Sequence, residues 1–403
     1  MARTGPGTSE CTVGWTLWGE VGLGANALTK SYFDKAGLYS SMSTQEGVRH
    51  FLRELGQAQP APYTVHMGQA EQAAVRRLLP GFLEQQRREP FYLGRIIQQS
   101  RDRLVTERVF SRDDDGYLAG HVVDGRPTLP GAFVTEIAVE AATGLRPDLF
   151  ATAVTDLSFE HFLKLAERPG TKRIVAEVIR VGDDGVDVGV RVLEDVIAPT
   201  GQVLVRGRRH FSATVELRRE PRPPARWRSW PEDGATPVPD PYHSGASPVV
   251  LSGEFHSTER TRVLPDGGRS AYTNPVPATH PVYRRFSVPV LLLDGLLRTG
   301  VLELLDGRYV PICAPVRIGR IELFEPVSDA ALADREIELF AAREFSPSQG
   351  SGGSCRFVAA DRSGQVVLQV LDLDWVQLGY LDTITDGHVH HPPVHPHPIG
   401  VAP

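Results

Sequence analysis

GHVVDGRPTLPGAF, residues 120–133, places His121, Gly125, Pro130 and Gly131 at fixed offsets immediately before a run with helical periodicity. With 13 His, 39 Gly and 32 Pro in 403 residues, the pattern H-x3-G-x4-P-G is expected by chance only about 0.01 times. Pro130 suits the start of a helix, where its missing N–H is one the helix leaves unpaired. Gly131 admits another group close to the free N–H donors of the first turn, and those donors, together with the helix dipole, favour an oxyanion. His121 adds a base that titrates near neutrality. A plain Gly/Pro turn carrying an incidental histidine is the second reading of the same letters.

Outward from this stretch, one order of elements occurs twice. The helical AFVTEIAVEAATGL precedes RIVAEVIRV and VDVGVRVLEDV, which flank the turn GDDG, and then QVLVRGRRHFSATVEL. The later copy runs from PVYRRFSVPV into LLLDGLLRTGVLELLDG and on through REIELFAAREF, CRFVAADR and QVVLQVLDLDWVQL. Alternating apolar residues mark the strands, and apolar residues at 3–4 spacing mark the helices. Residues 221–241 hold seven prolines, which read as a linker because proline donates to neither helix nor sheet. An α+β pseudo-repeat follows, each curved antiparallel sheet wrapped around its own helix and the two sheets joined edge to edge.

In the second copy Pro289 precedes a helix with Leu291, Leu292, Leu296 and Leu297, and Asp294 is the acid set in that apolar run. A carboxylate among leucines is costly to ionise unless partnered, so Asp294 is a candidate proton donor. Alternatively it faces solvent at the first turn, where the dipole favours acids. A two-fold repeat lets the two helix starts face one cleft, and that would bring a base and an acid to one substrate.

Net charge −6 and pI near 6.1 give no long-range attraction for nucleic acid or an anionic membrane. Cys11, Cys313 and Cys355 are too few and too scattered for a disulfide framework, and no C-x-x-C pair points to zinc. A reducing, cytoplasmic setting is expected. No secretory leader and no membrane-spanning run is predicted, so neither nucleic acid nor membrane is an expected partner.

Residues 1–90 hold a strand-like TVGWTLW and the helix STQEGVRHFLREL, with Ser43 as N-cap and Glu46 three residues on. Gly22-x-Gly24-x-x-Ala27 is not read as a dinucleotide fingerprint, because no second strand ends in an acid about 20 residues later. The segment 384–403 carries His388, His390, His391, His395 and His397 among prolines, a pattern expected to be a disordered tail rather than a metal site.

HVVDGRPTLPG, the later DGLLR, and VPICAPVRIGRIEL together resemble the double-hotdog dehydratase domain of polyketide and polyunsaturated fatty acid synthases, over about residues 95–383. The resemblance implies a first hotdog over 95–220 and a second over 242–383. The implied reaction is dehydration of a β-hydroxyacyl thioester, held on the phosphopantetheine arm of an acyl carrier protein, without metal or redox cofactor. His121 would take the C2 proton, Asp294 would protonate the departing C3 hydroxyl, and the Gly131 N–H would polarise the thioester carbonyl. Gly125, Pro130, Gly253, Phe255 and Arg298 complete the implied substrate and oxyanion set. Arg298 stands where the resemblance implies Gln or His, and LSGEF, residues 251–255, replaces a Tyr-Gly-Pro-x-Phe-like element. Residues 1–90 resemble the C-terminal end of a ketoreductase domain of the same synthases, as a small α/β remnant whose cofactor-binding part would lie upstream. Neighbouring synthase domains and a homodimer are the further implied partners. The competing functions on this fold are an acyl thioesterase and a degenerate acyl-binding or structural module without turnover.

Overall fold

The computed structural model describes residues 12–22, 25–37, 39–55, 63–78, 90–166, 169–198, 200–223, 225–228, 234–245, 247–324, 326–333, 335–344 and 354–391. The chain divides into two compact units, Met1–Arg87 and Arg88–Pro403.

The first unit places β1 (Thr12–Trp15), β2 (Leu17–Trp18), α1 (Ala27–Ala36), β3 (Ser41–Met42), α2 (Thr44–Leu55), β4 (Tyr63–His66) and α3 (Gln69–Leu78) in that order. β1 pairs with β4 and β2 with β3, both in parallel. The expected cap on α2 is present, with Ser43 Oγ accepting from the Glu46 N–H at 3.2 Å. β4 lay outside the sequence reading because its four residues carry too few alternations to register as a strand. β3 ends at Met42, followed by Ser43 rather than an acid, and Gly24 lies outside the described residues.

In the second unit the chain runs β5 (Arg95–Gln99), β6 (Arg103–Phe110), β7 (His121–Val123), β8 (Arg126–Pro127), α4 (Gly131–Leu145), β9 (Phe150–Phe159), β10 (Gly170–Val181), β11 (Gly185–Ile197) and β12 (Val203–Arg218). It continues through β13 (Thr236–Pro237), β14 (Val249–Leu251), β15 (Thr258–Leu264), β16 (Gly267–Tyr272), α5 (Val290–Gly300), β17 (Tyr309–Leu323), β18 (Ile337–Glu344), β19 (Ser354–Asp361), β20 (Val366–Asp382) and β21 (Gly387–Val389). One antiparallel sheet has the order β13-β15-β16-β18-β19-β20-β17-β9-β12-β11-β10-β6-β5. Around the β17–β9 seam, where Ile318 pairs with Leu157 and Ile321 with Val154, the order reads alike in both directions. β9, β12, β11, β10 and β6 correspond to β17, β20, β19, β18 and β16. This is the double hotdog, with α4 wrapped by one half and α5 by the other.

Both helices are apolar nearly all round, as helices enclosed by a sheet must be. α4 buries Phe133, Val134, Ile137 and Ala138, α5 buries Leu291, Leu292, Leu293 and Leu296, and all belong to one continuous core. The repeat is richer than a helix followed by a meander. A pair of large-sheet strands precedes each helix, β5 and β6 before α4 and β15 and β16 before α5, and VPICAPVRIGRIEL lies within β17, the strand at the seam. Its prolines and arginines obscure the alternation, which the β17–β20 register restores with two bulges.

Two other expectations change. The proline-rich 221–241 is docked rather than a bare linker: Ala225 and Trp227 pack on Phe324, Phe340 and Val358, the Trp227 N–H donates to the Gly364 carbonyl at 2.7 Å, and β13 pairs with β15. Partial burial of the apolar Trp227 ring favours docking of this stretch. Within the expected disordered tail, β21 pairs with β20, Leu381 against His388; His395 and His397 lie outside the described residues. Among the described residues no group of three or more His, Cys, Asp or Glu could hold a metal ion, and no helix is long and apolar enough to cross a membrane.

Candidate active site

The stretch 120–133 folds as a hairpin that delivers its chain into α4. Val123 pairs with Arg126, so Asp124-Gly125 is a two-residue turn, and their φ values of 48° and 73° are those of a type I′ turn, for which Asp-Gly is suited. Gly125 therefore makes the turn. Pro130 is the N-cap of α4, in extended conformation, and no side chain caps this helix. Gly131 and Ala132 belong to the first turn, whose N–H groups a helix leaves unpaired, and both line a cavity of about 210 Å³. A Cβ on Gly131 would lie 3.1 Å from Pro315 Cγ and 3.2 Å from the Phe159 ring, so glycine fits here because the cavity wall comes so close.

His121 lies on β7, buried, and lines the same cavity. Its Nδ1–H donates to the Thr128 carbonyl at 2.8 Å; a carbonyl only accepts, so Nε2 keeps the lone pair. Burial holds the imidazole below its usual range, against the pull of the Asp294 charge and the Thr128 carbonyl. The neutral, base-competent form is thereby the resting form. LSGEF positions this ring: Leu251 pairs with His121 across β14 and β7, the Ser252 N–H donates to the Gly120 carbonyl at 2.8 Å, and the Phe255 ring lies 5.5 Å from the imidazole. Gly253 opens the following 3-10 turn. The close approach at Gly120, where a Cβ would lie 2.3 Å from the Ser252 carbonyl oxygen, carried no signal a single sequence could show.

Asp294 reaches the cavity from α5, so the structure brings His121, Gly131, Asp294 and Arg298 to the lining of one cavity. Gly125, Pro130, Gly253 and Phe255 support that cavity rather than line it. Arg298 was expected to bind substrate, and its geometry corrects this, because all five N–H donors are engaged within the protein. Nε donates to Asp294 Oδ2 at 3.0 Å, NH1 to Asp240 and to Thr258 Oγ1, and NH2 to Ser257 Oγ and the Phe255 carbonyl.

Sequence reasoning missed Asp240, which is remote from every motif, and Tyr242, which lines the cavity. The Tyr242 hydroxyl donates to the Cys313 carbonyl and accepts from the Cys313 N–H, both at 2.9 Å, which holds β17 against the site.

The repeat gives an internal comparison between helix starts. Asp329 fills that of α5: Oδ2 accepts the Leu291 N–H at 3.1 Å and Oδ1 the Leu292 N–H at 3.0 Å, while the Tyr272 hydroxyl donates to Oδ1 at 2.7 Å. Burial raises the Asp329 carboxyl to about 6 despite these donors. At the start of α4 the corresponding place is cavity. Glu136 of α4 ties the two halves, accepting the Ser287 N–H at 3.0 and 2.9 Å and the Val288 N–H at 2.7 Å, directly before α5.

Residues 92–191 match the family model described as the polyketide synthase dehydratase domain. Among solved structures, the dehydratase domain from the CurF module of curacin polyketide synthase aligns at TM-score 0.58 and 14% identity, covering 71% of this chain and 98% of that one. The dehydratase domain of RzxB from Pseudomonas fluorescens aligns at TM-score 0.52 and 17% identity, over 70% and 98%. That of a mycocerosic acid synthase-like polyketide synthase aligns at TM-score 0.53 and 17% identity, over 70% and 95%. A search of curated proteins returned no match.

Proposed function

We propose that the second unit, a polyketide synthase dehydratase domain, converts a β-hydroxyacyl thioester on an acyl carrier protein to the 2-enoyl thioester with His121, Asp294 and the α4 N-terminus as its working parts. The observation that carries this assignment of roles is the asymmetry of the two helix starts. A carboxylate occupies the N–H donors of α5, whereas those of α4 open on a cavity that also holds a neutral imidazole and a carboxyl group.

Nε2 of His121 takes the C2 proton, and the resulting electron pair is delocalised onto the thioester oxygen, which the Gly131 N–H stabilises. The C2–C3 double bond forms as the C3–O bond breaks, and the proton held by Asp294 completes the departing water. The histidine ends protonated and Asp294 ionised, and one net proton transfer between them restores the site. These steps balance without metal or redox cofactor. The substrate is presented on a phosphopantetheine arm, neighbouring synthase domains and a second copy of the chain are the further partners, and the setting is cytoplasmic.

The test is mass spectrometry of a β-hydroxyacyl thioester after incubation with the intact chain. Loss of one water with the thioester retained is expected, and His121→Ala should abolish it. Release of free acid would instead identify a thioesterase, and binding without any product would identify a degenerate module. Either result, or wild-type turnover by His121→Ala, refutes the proposal.

A further inference from the structure

A fixed cation four residues after Asp294 favours the ionised carboxylate, which is the wrong form for a proton donor. The surroundings of Arg298 remove this conflict. We propose that Asp240 neutralises Arg298, so that the Arg298–Asp240 pair acts on Asp294 as an uncharged hydrogen-bond donor and leaves it free to hold and release a proton. The inference rests on Asp294 being the proton donor.

The Arg298 and Asp240 side chains are 7% and 6% exposed, and Asp294, 13% exposed, lines the cavity together with Arg298. Asp240 accepts donors on both oxygens: Oδ1 from the Tyr242 N–H at 3.1 Å, and Oδ2 from Arg298 NH1 and from Thr258 Oγ1 at 2.6 Å. Three donors, one of them a cation, all favour the ionised carboxylate, so Asp240 serves as a counter-charge. Burial opposes its ionisation, but the Arg298 cation and these donors prevail and hold it below the usual carboxylate range.

Other titratable groups face the cluster. His243 lies near both partners, its Nε2 3.5 Å from Arg298 NH1 and 3.6 Å from Asp240 Oδ2, and burial keeps it below the usual imidazole range. The His256 ring, 4.1 Å from that of His243, donates through Nε2 to the Leu251 carbonyl. On the cavity side stand neutral His121, the Tyr242 phenol, which burial raises well above its usual range, and the Cys313 thiol, with exposed His161 and exposed Glu160, paired with Arg209, also on the lining. One fixed cation and one fixed anion thus cancel beside Asp294. A single arginine at 298 would not reproduce a neutral Gln, but an arginine with Asp240 does.

The experiment is the pH profile of kcat/KM for dehydration of a 3-hydroxyacyl N-acetylcysteamine thioester by the full chain. The alkaline limb reports the proton donor of the reaction. Asp240→Asn leaves Arg298 uncompensated and should move that limb down by roughly 1–2 pH units. Arg298→Gln leaves Asp240 as an uncompensated anion and should move it up by a similar amount, and the double variant should return it close to wild type. Partial unfolding cannot produce opposite displacements that cancel, so the series separates a charge effect from a merely structural one. The inference is overturned if the single variants move the limb in the same direction or not at all while Asp294→Asn is inactive. Wild-type activity in Asp294→Asn would overturn the proton-donor reading and the inference with it.

Discussion

Glu136→Ala tests whether the two halves of the site are held together as the structure describes. Glu136 is 1% exposed and spends both carboxylate oxygens on two backbone N–H groups, those of Ser287 and Val288. These residues lead directly into α5, so the carboxylate fixes the helix of Asp294 against the helix of Gly131. Alanine leaves the buried Val288 N–H and the half-buried Ser287 N–H without this acceptor; the buried donor costs about 1–3 kcal/mol and the half-buried one less. Glu136→Gln keeps one carbonyl oxygen but turns an NH2 towards the second donor, so it should fall between alanine and wild type. Urea denaturation should show the midpoint falling with the slope unchanged. The dehydration kcat should fall even at urea-free, fully folded conditions, because the start of α5 is no longer set against α4. A loss in Glu136→Ala below about 1 kcal/mol, or a destabilised variant with unchanged kcat, would refute the reasoning.

Gly131→Ala pushes a methyl against Pro315 and Phe159 at 3.1–3.2 Å, and should cost about 1–3 kcal/mol of stability and raise KM; unchanged kinetics would show that the α4 start does not meet the substrate. Asp329 has its carboxyl raised from 3.8 to about 6 in the folded chain, so its contribution is fully present below pH 3.8 and is lost as pH rises through about 6. The loss should be about 3 kcal/mol, read as a fall in unfolding free energy that Asp329→Asn abolishes. A fall of the same size in that variant would refute the assignment. Because burial depresses the His121 imidazole, the acid limb of kcat/KM should lie below the ordinary histidine value of 6.5, and a limb above it would contradict a neutral resting base.

The sequence by itself determined the repeat and the two enclosed helices, and it singled out His121, Gly131 and Asp294 as candidate site residues. These features are local: a Gly/Pro-delimited helix start, an apolar helix broken by one acid, and strands long enough to alternate. Tertiary structure decided what the sequence could not order in space. The seam strand β17 was obscured because its bulges and prolines interrupt the period that pairing with β20 restores. The burial of Trp227 turned a proline-rich stretch into part of the second half. Arg298 has one meaning as a lone cation after Asp294 and another beside Asp240, 58 residues earlier in the chain. Charge compensation depends on distance in space rather than along the chain, so only the fold could supply Asp240.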